Sequence, residues 1–171
     1  MKIKKFLSAS GLAVSAMLAA MNSAYPDTQM QIAVSTYVGS TLQMSNSDGS
    51  PLDTEIALPW NPATFFTTWT RSVVISSSNH TSDVQARLLT PPALRNGSDS
   101  IPLKVQLNGT QLSTTPMTYS ASMLFPASTA TGGNSIVMPL SVGVDNTNPM
   151  ARKPASGMWI AAVQVVLSQA S

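Results

Sequence analysis

The sequence predicts an all-β protein, an antiparallel sandwich with an immunoglobulin-like arrangement. Three observations carry that expectation. About eight short segments alternate apolar and polar residues with the period of two that marks an extended strand. Turn residues separate them at regular spacing: Asn46 to Pro51, Pro91-Pro92, Asn108-Gly109 and Thr131-Gly132-Gly133. Beyond the first two dozen residues no stretch carries a convincing helical pattern. A chain of 171 residues without internal repeats fits one such domain.

The segments follow in order. Gln29 to Val38 alternates, with Met30, Ile32, Val34, Thr36 and Val38 on one face and mostly Gln31, Ser35 and Tyr37 on the other. Gly39-Ser40 ends it, and Thr41 to Met44 is a brief extended piece. After the dense turn at Asn46 to Pro51, Ile56, Leu58 and Trp60 alternate, and Pro59 among them marks an edge or a bulge. Asn61-Pro62 turns the chain into Phe65 to Ser76, whose aromatic and β-branched residues suit one long core strand. A polar loop, Ser76 to Asp83, precedes Val84, Ala86 and Leu88, a strand that Pro91-Pro92 stops. Arg95 to Ser100 reads as a loop. Leu103, Val105 and Leu107 then alternate up to Asn108-Gly109, a strong hairpin signal, and Leu112 begins the return. Tyr119 to Ala130 fits either a short helical turn or a loop. Ile136 to Val144 makes another strand, Asn146 to Ser156 a long connection, and Met158 to Ser168 the last strand.

Composition narrows the function. Lys2, Lys4 and Lys5, the apolar run from Phe6 to Met21, and Asn22-Ser23-Ala24 form a secretory signal peptide over residues 1–24. Behind it stand six basic residues against seven acidic ones, a net charge of −1 where the precursor carries +2. The basic character therefore belongs largely to the leader, and no nucleic-acid footprint follows from it. With no cysteine, an exported chain has neither a disulfide framework nor a thiolate metal site. Its stability must come from packing, from partner chains, or from both.

The two ends of the chain stand out. The last strand puts Trp159, Ala161, Val163, Val165 and Leu167 on one face, while Ile160, Ala162 and Val166 make the other face apolar too. A strand apolar on both faces is usually central or covered by a partner.

Taken along its length, the sequence resembles the major pilins of alternate chaperone–usher fimbriae, the family of colonisation factor antigen I and cable pili. The resemblance rests on Ile32, Val34 and Val38, Asp48-Gly49, Ile56, Leu58, Trp60 and Pro62. It continues in Leu112-Ser113-Thr114-Thr115 and in an ending with Gly157, Trp159, Val163, Val165, Val166, Leu167 and Ser171. It implies a sandwich lacking one strand, completed by a donor strand from the neighbouring subunit. Residues 25–39 would be the donor extension, with Met30, Ile32, Val34, Thr36 and Val38 filling the slot of an incomplete domain over 40–171. Trp159, Ala161, Val163, Val165 and Leu167 would face that slot. The implied partners are identical subunits head to tail, a periplasmic chaperone, an outer-membrane usher and a tip adhesin, and no nucleic acid. The implied destination, reached through the periplasm, is a cell-surface fimbrium. Some relatives carry a proline just after the donor strand; here Gly39-Ser40 stands there.

Elementary energetics agree with such a scheme. An open strand edge beside an apolar groove recruits any extended strand. Fully burying Met30, Ile32, Val34 and Val38 contributes at most roughly 6–12 kcal/mol. Head-to-tail donation is heterologous and makes an open fibre.

Catalytic and metal chemistry find little support. His80, the one histidine, lies near serines and Asp83, but triad members converge from separate parts of a fold and no nucleophile elbow is present. Asp48, Asp53 and Glu55 lack calcium-loop spacing. Trp60, Trp69 and Trp159 sit in apolar strands and suit core packing better than sugar stacking. Asn79, Asn96 and Asn108 each open an N-x-Ser/Thr pattern, which a chain so rich in these residues produces by chance. The expectation is a non-enzymatic shaft subunit without cofactor or metal, supporting attachment to surfaces or host tissue. The alternative is a self-contained secreted β-sandwich that binds a ligand and keeps its first strand in its own sheet.

Overall fold

A computed structural model describes residues 27–36, 42–126 and 135–170. The signal peptide, Val38, Gly39-Ser40, Thr131-Gly132-Gly133 and Ser171 lie outside the described residues. The strands are β1 Asp27–Thr36, β2 Gln43–Asn46, β3 Glu55–Ile56, β4 Trp60–Asn61, β5 Phe65–Phe66, β6 Trp69–Ser76, β7 Val84–Leu88, β8 Ala93–Asn96, β9 Asp99–Leu107, β10 Thr110–Gln111, β11 Met117–Tyr119, β12 Val137–Val144 and β13 Met158–Gln169. Two single-turn helices, α1 Ala121–Leu124 and α2 Pro149–Arg152, sit in connections.

Two sheets face each other across one apolar core. The second sheet runs β10–β9–β12–β6–β2, every pair antiparallel. The first, the terminal sheet, has β13 at its centre. On one side β13 pairs antiparallel with β7 and, further along, with β8; β11 lies outside β7. On the other side it pairs with β1, and β3 lies beyond. The strand β9 serves both sheets. Its first residues pair with β8, and those from Leu103 on pair with β12. Strands that change sheets in this way make the corner of a sandwich.

Alternation becomes burial. In β7, β12 and β13 every second side chain is buried, among them Val84, Ala86, Leu88, Met138, Leu140 and Val142. The hairpin at Asn108-Gly109 forms with φ of 52° and 76°, the double left-handed turn that matches the twist of its strands.

Some expected elements differ in detail. The long strand over Phe65 to Ser76 is divided, because Phe65 adopts φ 60° to close the β4–β5 hairpin and β6 begins only at Trp69. The strand containing Ile56, Leu58 and Trp60 splits at Pro59 into β3 and β4, yet Ile56 and Leu58 remain buried. Arg95 to Ser100 is not a loop but the tip of the β8–β9 hairpin, with Asn96 opposite Asp99 around Gly97-Ser98. Tyr119 to Ala130 opens with the turn α1, capped by the Ser120 hydroxyl.

Candidate functional site: the seam between the two ends of the chain

The longest unbroken pairing involves the two ends of the chain. All ten residues of β1 run alongside β13, from Asp27 opposite Met158 to Thr36 opposite Leu167. This pairing is parallel, whereas the other ladders are antiparallel. Trp159, Ala161, Val163, Val165 and Leu167 are all buried, as their spacing requires. Met30, Ile32, Val34 and Thr36 hold the register positions opposite Ala161, Val163, Val165 and Leu167. Directly paired positions share one face of a sheet, so the apolar row of β1 is in phase with the inward row of β13. On its far side β1 pairs, among the described residues, with β3 at Met30–Ile56 and Gln31–Glu55.

The direction of β1 follows from chain connectivity. Its last residue, Thr36, lies at the Leu167 end of β13. The second sheet resumes at that same end, where Gln43 pairs with Ser76. Residues 37–41 connect them. A link of this length spans at most about 20 Å. Turning β1 round would carry Thr36 a strand length away, about 30 Å at 3.3 Å per residue. A strand inserted into its own sheet must therefore run parallel to β13. A strand arriving from another copy is free of that restriction.

Sequence reasoning missed two members of the seam. Thr28 stands opposite Trp159, and extending the period of two back from Met30 finds it. Ile56, 7 % exposed, is the counter-position to Met30 on β3; its alternation with Leu58 and Trp60 marks it as one face of a strand but does not tell which strand it pairs with.

The remaining candidates have structural roles. The Asp83 carboxylate accepts the Ala121 N–H at 2.8 Å, at the start of α1. His80 lies over Phe125, with ring centroids 4.8 Å apart. Ser77 accepts from Asn79 N–H and from Gln169 Nε2, tying the 77–82 loop to the end of β13. Asp48 accepts from the Ser50 hydroxyl and N–H, which hold its carboxyl below the usual range, and Asp53 pairs with Arg71 at 2.8 Å. Among the described residues no group of three or more His, Asp or Glu side chains could hold a metal ion. Trp60 Nε1 donates to Ala151 O, and the fully buried Trp159 donates to Ala155 O at 2.9 Å. Trp69 is half-buried against the core. Among the described residues no helix is long and apolar enough to cross a membrane.

Comparison with known proteins gives the seam its context. Residues 28–168 match the family model of the CS1 type fimbrial major subunit. The chain belongs to the CS1-type fimbrial major subunit family. A CS1 fimbrial protein of Escherichia coli is 29% identical over the full length of both chains. The solved CooA pilin from enterotoxigenic Escherichia coli superposes with a TM-score of 0.58 at 24% identity, covering 77% of this chain and 99% of that one. As a member of a family of major fimbrial subunits, the protein is a structural component of a pilus shaft, of a non-enzymatic kind, that associates with identical copies at the cell surface. The match begins one residue into β1 and ends one residue short of the end of β13, so the strands of the seam bound the family unit.

Proposed function

We propose that this protein builds its shaft by handing β1 to the next copy. Residues 27–36 of one subunit fill the place beside β13 of its neighbour, and the donor's own slot receives the strand of a third copy. The observation that supports this most directly is the seam itself. Ten residues from one terminus align in phase with the buried row at the other terminus, and β1 has almost no other neighbour. Among the described strands, β1 supplies pairs only to β13 and β3, so withdrawing it opens one long edge on β13 for another strand to fill.

The energetics favour exchange over permanent self-insertion. Parallel pairing is slightly less stable per residue than antiparallel pairing. Short connectivity imposes parallel pairing on the chain's own strand, and a neighbour's strand escapes it. The subunit would travel through the periplasm with its open edge held by a chaperone, pass an outer-membrane usher that swaps chaperone for donor strand, and join a shaft ending in a tip adhesin. Attachment to surfaces or host tissue would be the task of the whole fibre.

A second reading keeps β1 in its own sheet and makes the protein a self-contained sandwich; the intramolecular pairing of β1 favours it. One experiment separates the two. Residues 25–38 are removed from the front of the mature chain and appended, through a flexible linker, after Ser171. Donation predicts a stable monomer that adds to no fibre, while the unaltered chain forms a ladder of polymers resistant to mild denaturant. A mature, unaltered chain that stays monomeric at high concentration and ignores added β1 peptide overturns the proposal.

A further inference from the structure

The outer face of the terminal sheet is left bare where the sequence is apolar. On β13 the outward positions begin with Met158, 47 % exposed, and Ile160, 53 % exposed, followed by exposed Ala162. Leu89, 46 % exposed, lies further along the same sheet, where its N–H donates to Gln164 O. The gap between β7 and β8 deepens this patch. Leu88 pairs with Val165 and Arg95 with Ile160, so six residues on one line face four on the other. The surplus, with Thr90 and Pro91 exposed and Pro92 buried, borders a cleft of about 780 Å³ lined by Thr90, Pro91, Pro92, Arg95, Ile160 and Ala162. Met158 and Ile160, two of the seven large apolar side chains exposed among the described residues, therefore stand together at this end of β13. Clustered apolar exposure of this kind marks an interaction surface.

Charge indicates what covers it. Arg95 lies opposite exposed Ile160, and Arg87 lies opposite half-buried Val166, both on this outer face. Neither arginine has a carboxylate partner among the described residues, where the ion pairs are Arg71–Asp53 and Lys104–Asp145. The opposite flank of the sandwich is acidic. The strands β3 and β2 form the far edges of the two sheets, and Glu55 on β3 and Asp48 in the turn after β2 are exposed and form no ion pair among the described residues.

We propose that a second copy of this chain docks its acidic β2–β3 flank on the apolar and basic β13–β7–β8 face. This contact is separate from the β1 seam, though it shares β13 with it, and it rests on the reading of the protein as a polymerising subunit. Two different surfaces on one molecule give a heterologous contact that repeats without closing, as a fibre needs. Opposite charge at the rim sets partner and register, and the apolar centre supplies the contact energy. The lateral contact would hold neighbouring turns of the shaft together, while strand donation links successive subunits.

The test uses assembled fibres of the full mature chain with a photoreactive benzophenone residue in place of Ile160. Irradiation is expected to join copies of the chain, with the crosslink mapping to residues 46–56. Arg87→Glu with Arg95→Glu should abolish that crosslink and leave the denaturant-resistant ladder intact. Adding Asp48→Lys and Glu55→Lys should bring the crosslink back. A crosslink to another protein, to a different surface of the chain, or to nothing overturns the proposal, as does insensitivity to charge reversal. Failure of strand donation is read separately, as absence of the ladder in fibre preparations of the unaltered chain.

Discussion

The two sheets use similar residues and reach closure by different routes. The second sheet is assembled wholly from residues between Gln43 and Val144, in antiparallel ladders, one of them closed by the two-residue turn at Asn108-Gly109. The terminal sheet needs both ends of the chain. Its central strand β13 has an antiparallel line on one side, broken at Leu89 to Pro92, and on the other a parallel strand tethered only through residues 37–41. The lesson concerns separability. A strand woven into a meander cannot be exchanged without dismantling its neighbours, whereas β1 pairs only with β13 and β3 among the described residues, so another strand can take its place without changing how the other strands are connected.

The most severe way to break the comparison is to delete residues 25–38 without replacing them. The terminal sheet then presents β13 as an open edge, and the loss is expected to approach the whole stability of a domain, about 5–15 kcal/mol. Little soluble folded protein should be recovered. A synthetic peptide of residues 27–36, supplied during refolding, should restore a cooperative thermal transition. Recovery without the peptide would mean that β1 is dispensable and that the two sheets are alike after all.

Trp159→Ala and Leu140→Ala sharpen the contrast at a smaller scale. Trp159 is fully buried on β13, and Leu140, 1 % exposed, is its counterpart on β12 of the second sheet. Expected losses are about 3–5 and 2–5 kcal/mol respectively, read from denaturant midpoints. The distinction lies in the β1 peptide. Its affinity for the deleted protein should fall with Trp159→Ala, since Trp159 heads the buried row opposite Thr28, and stay unchanged with Leu140→Ala.

How much of this was legible in the sequence follows the same division. Period-two alternation placed the core faces of β7, β9, β12 and β13, because each is long enough to repeat its pattern. It also picked out Met30, Ile32, Val34 and Thr36 as one row, and that row is in phase with β13. Short elements escaped. The alternation of Ile56, Leu58 and Trp60 marks an extended segment, but alternation alone names no partner strand, so the pairing of Ile56 with Met30 is not legible in it. The β8–β9 hairpin was missed because the polar run Arg95 to Ser100 looks like a loop, although Gly97-Ser98 is a recognised hairpin pair. Direction was beyond reach as well. Alternation is the same read either way along a strand, and only the position of Gln43 beside Ser76 makes β1 parallel.

Within the second sheet a backbone contact offers a milder perturbation. Gly143 is buried in β12, and a methyl group there would stand 2.7 Å from Thr68 Oγ1 and 3.2 Å from Thr68 Cγ2. Gly143→Ala is expected to cost about 1–3 kcal/mol through overpacking. Thr68→Gly, which removes Oγ1, Cγ2 and the Cβ that would stand at 3.3 Å, should recover most of the difference in the double variant. Strand donation should be unaffected, since both residues lie away from the β1 seam. A fall in β1-peptide affinity would show instead that strain in the second sheet reaches the slot.

The smallest expected effect belongs to Asp145, at the end of β12. Its carboxylate accepts from the Thr147 hydroxyl at 2.7 Å and N–H at 3.1 Å and pairs with Lys104 Nζ at 2.9 Å. The Thr147 hydroxyl, followed by Lys104, holds its pKa well below the ordinary carboxylate value. A carboxyl depressed on folding contributes stability that is fully present above its unfolded pKa and lost as the pH falls through its folded one. Because the group is exposed, solvent screens the pair and the contribution is small. Asp145→Asn should therefore lower the melting temperature slightly at neutral pH, and the difference from the unaltered protein should shrink only in strong acid. A difference constant down to strong acid would assign the effect to hydrogen bonding of the turn alone, with no share for the charge. In neither case should the β1 seam respond, because Asp145 acts on the β12–β9 corner of the second sheet.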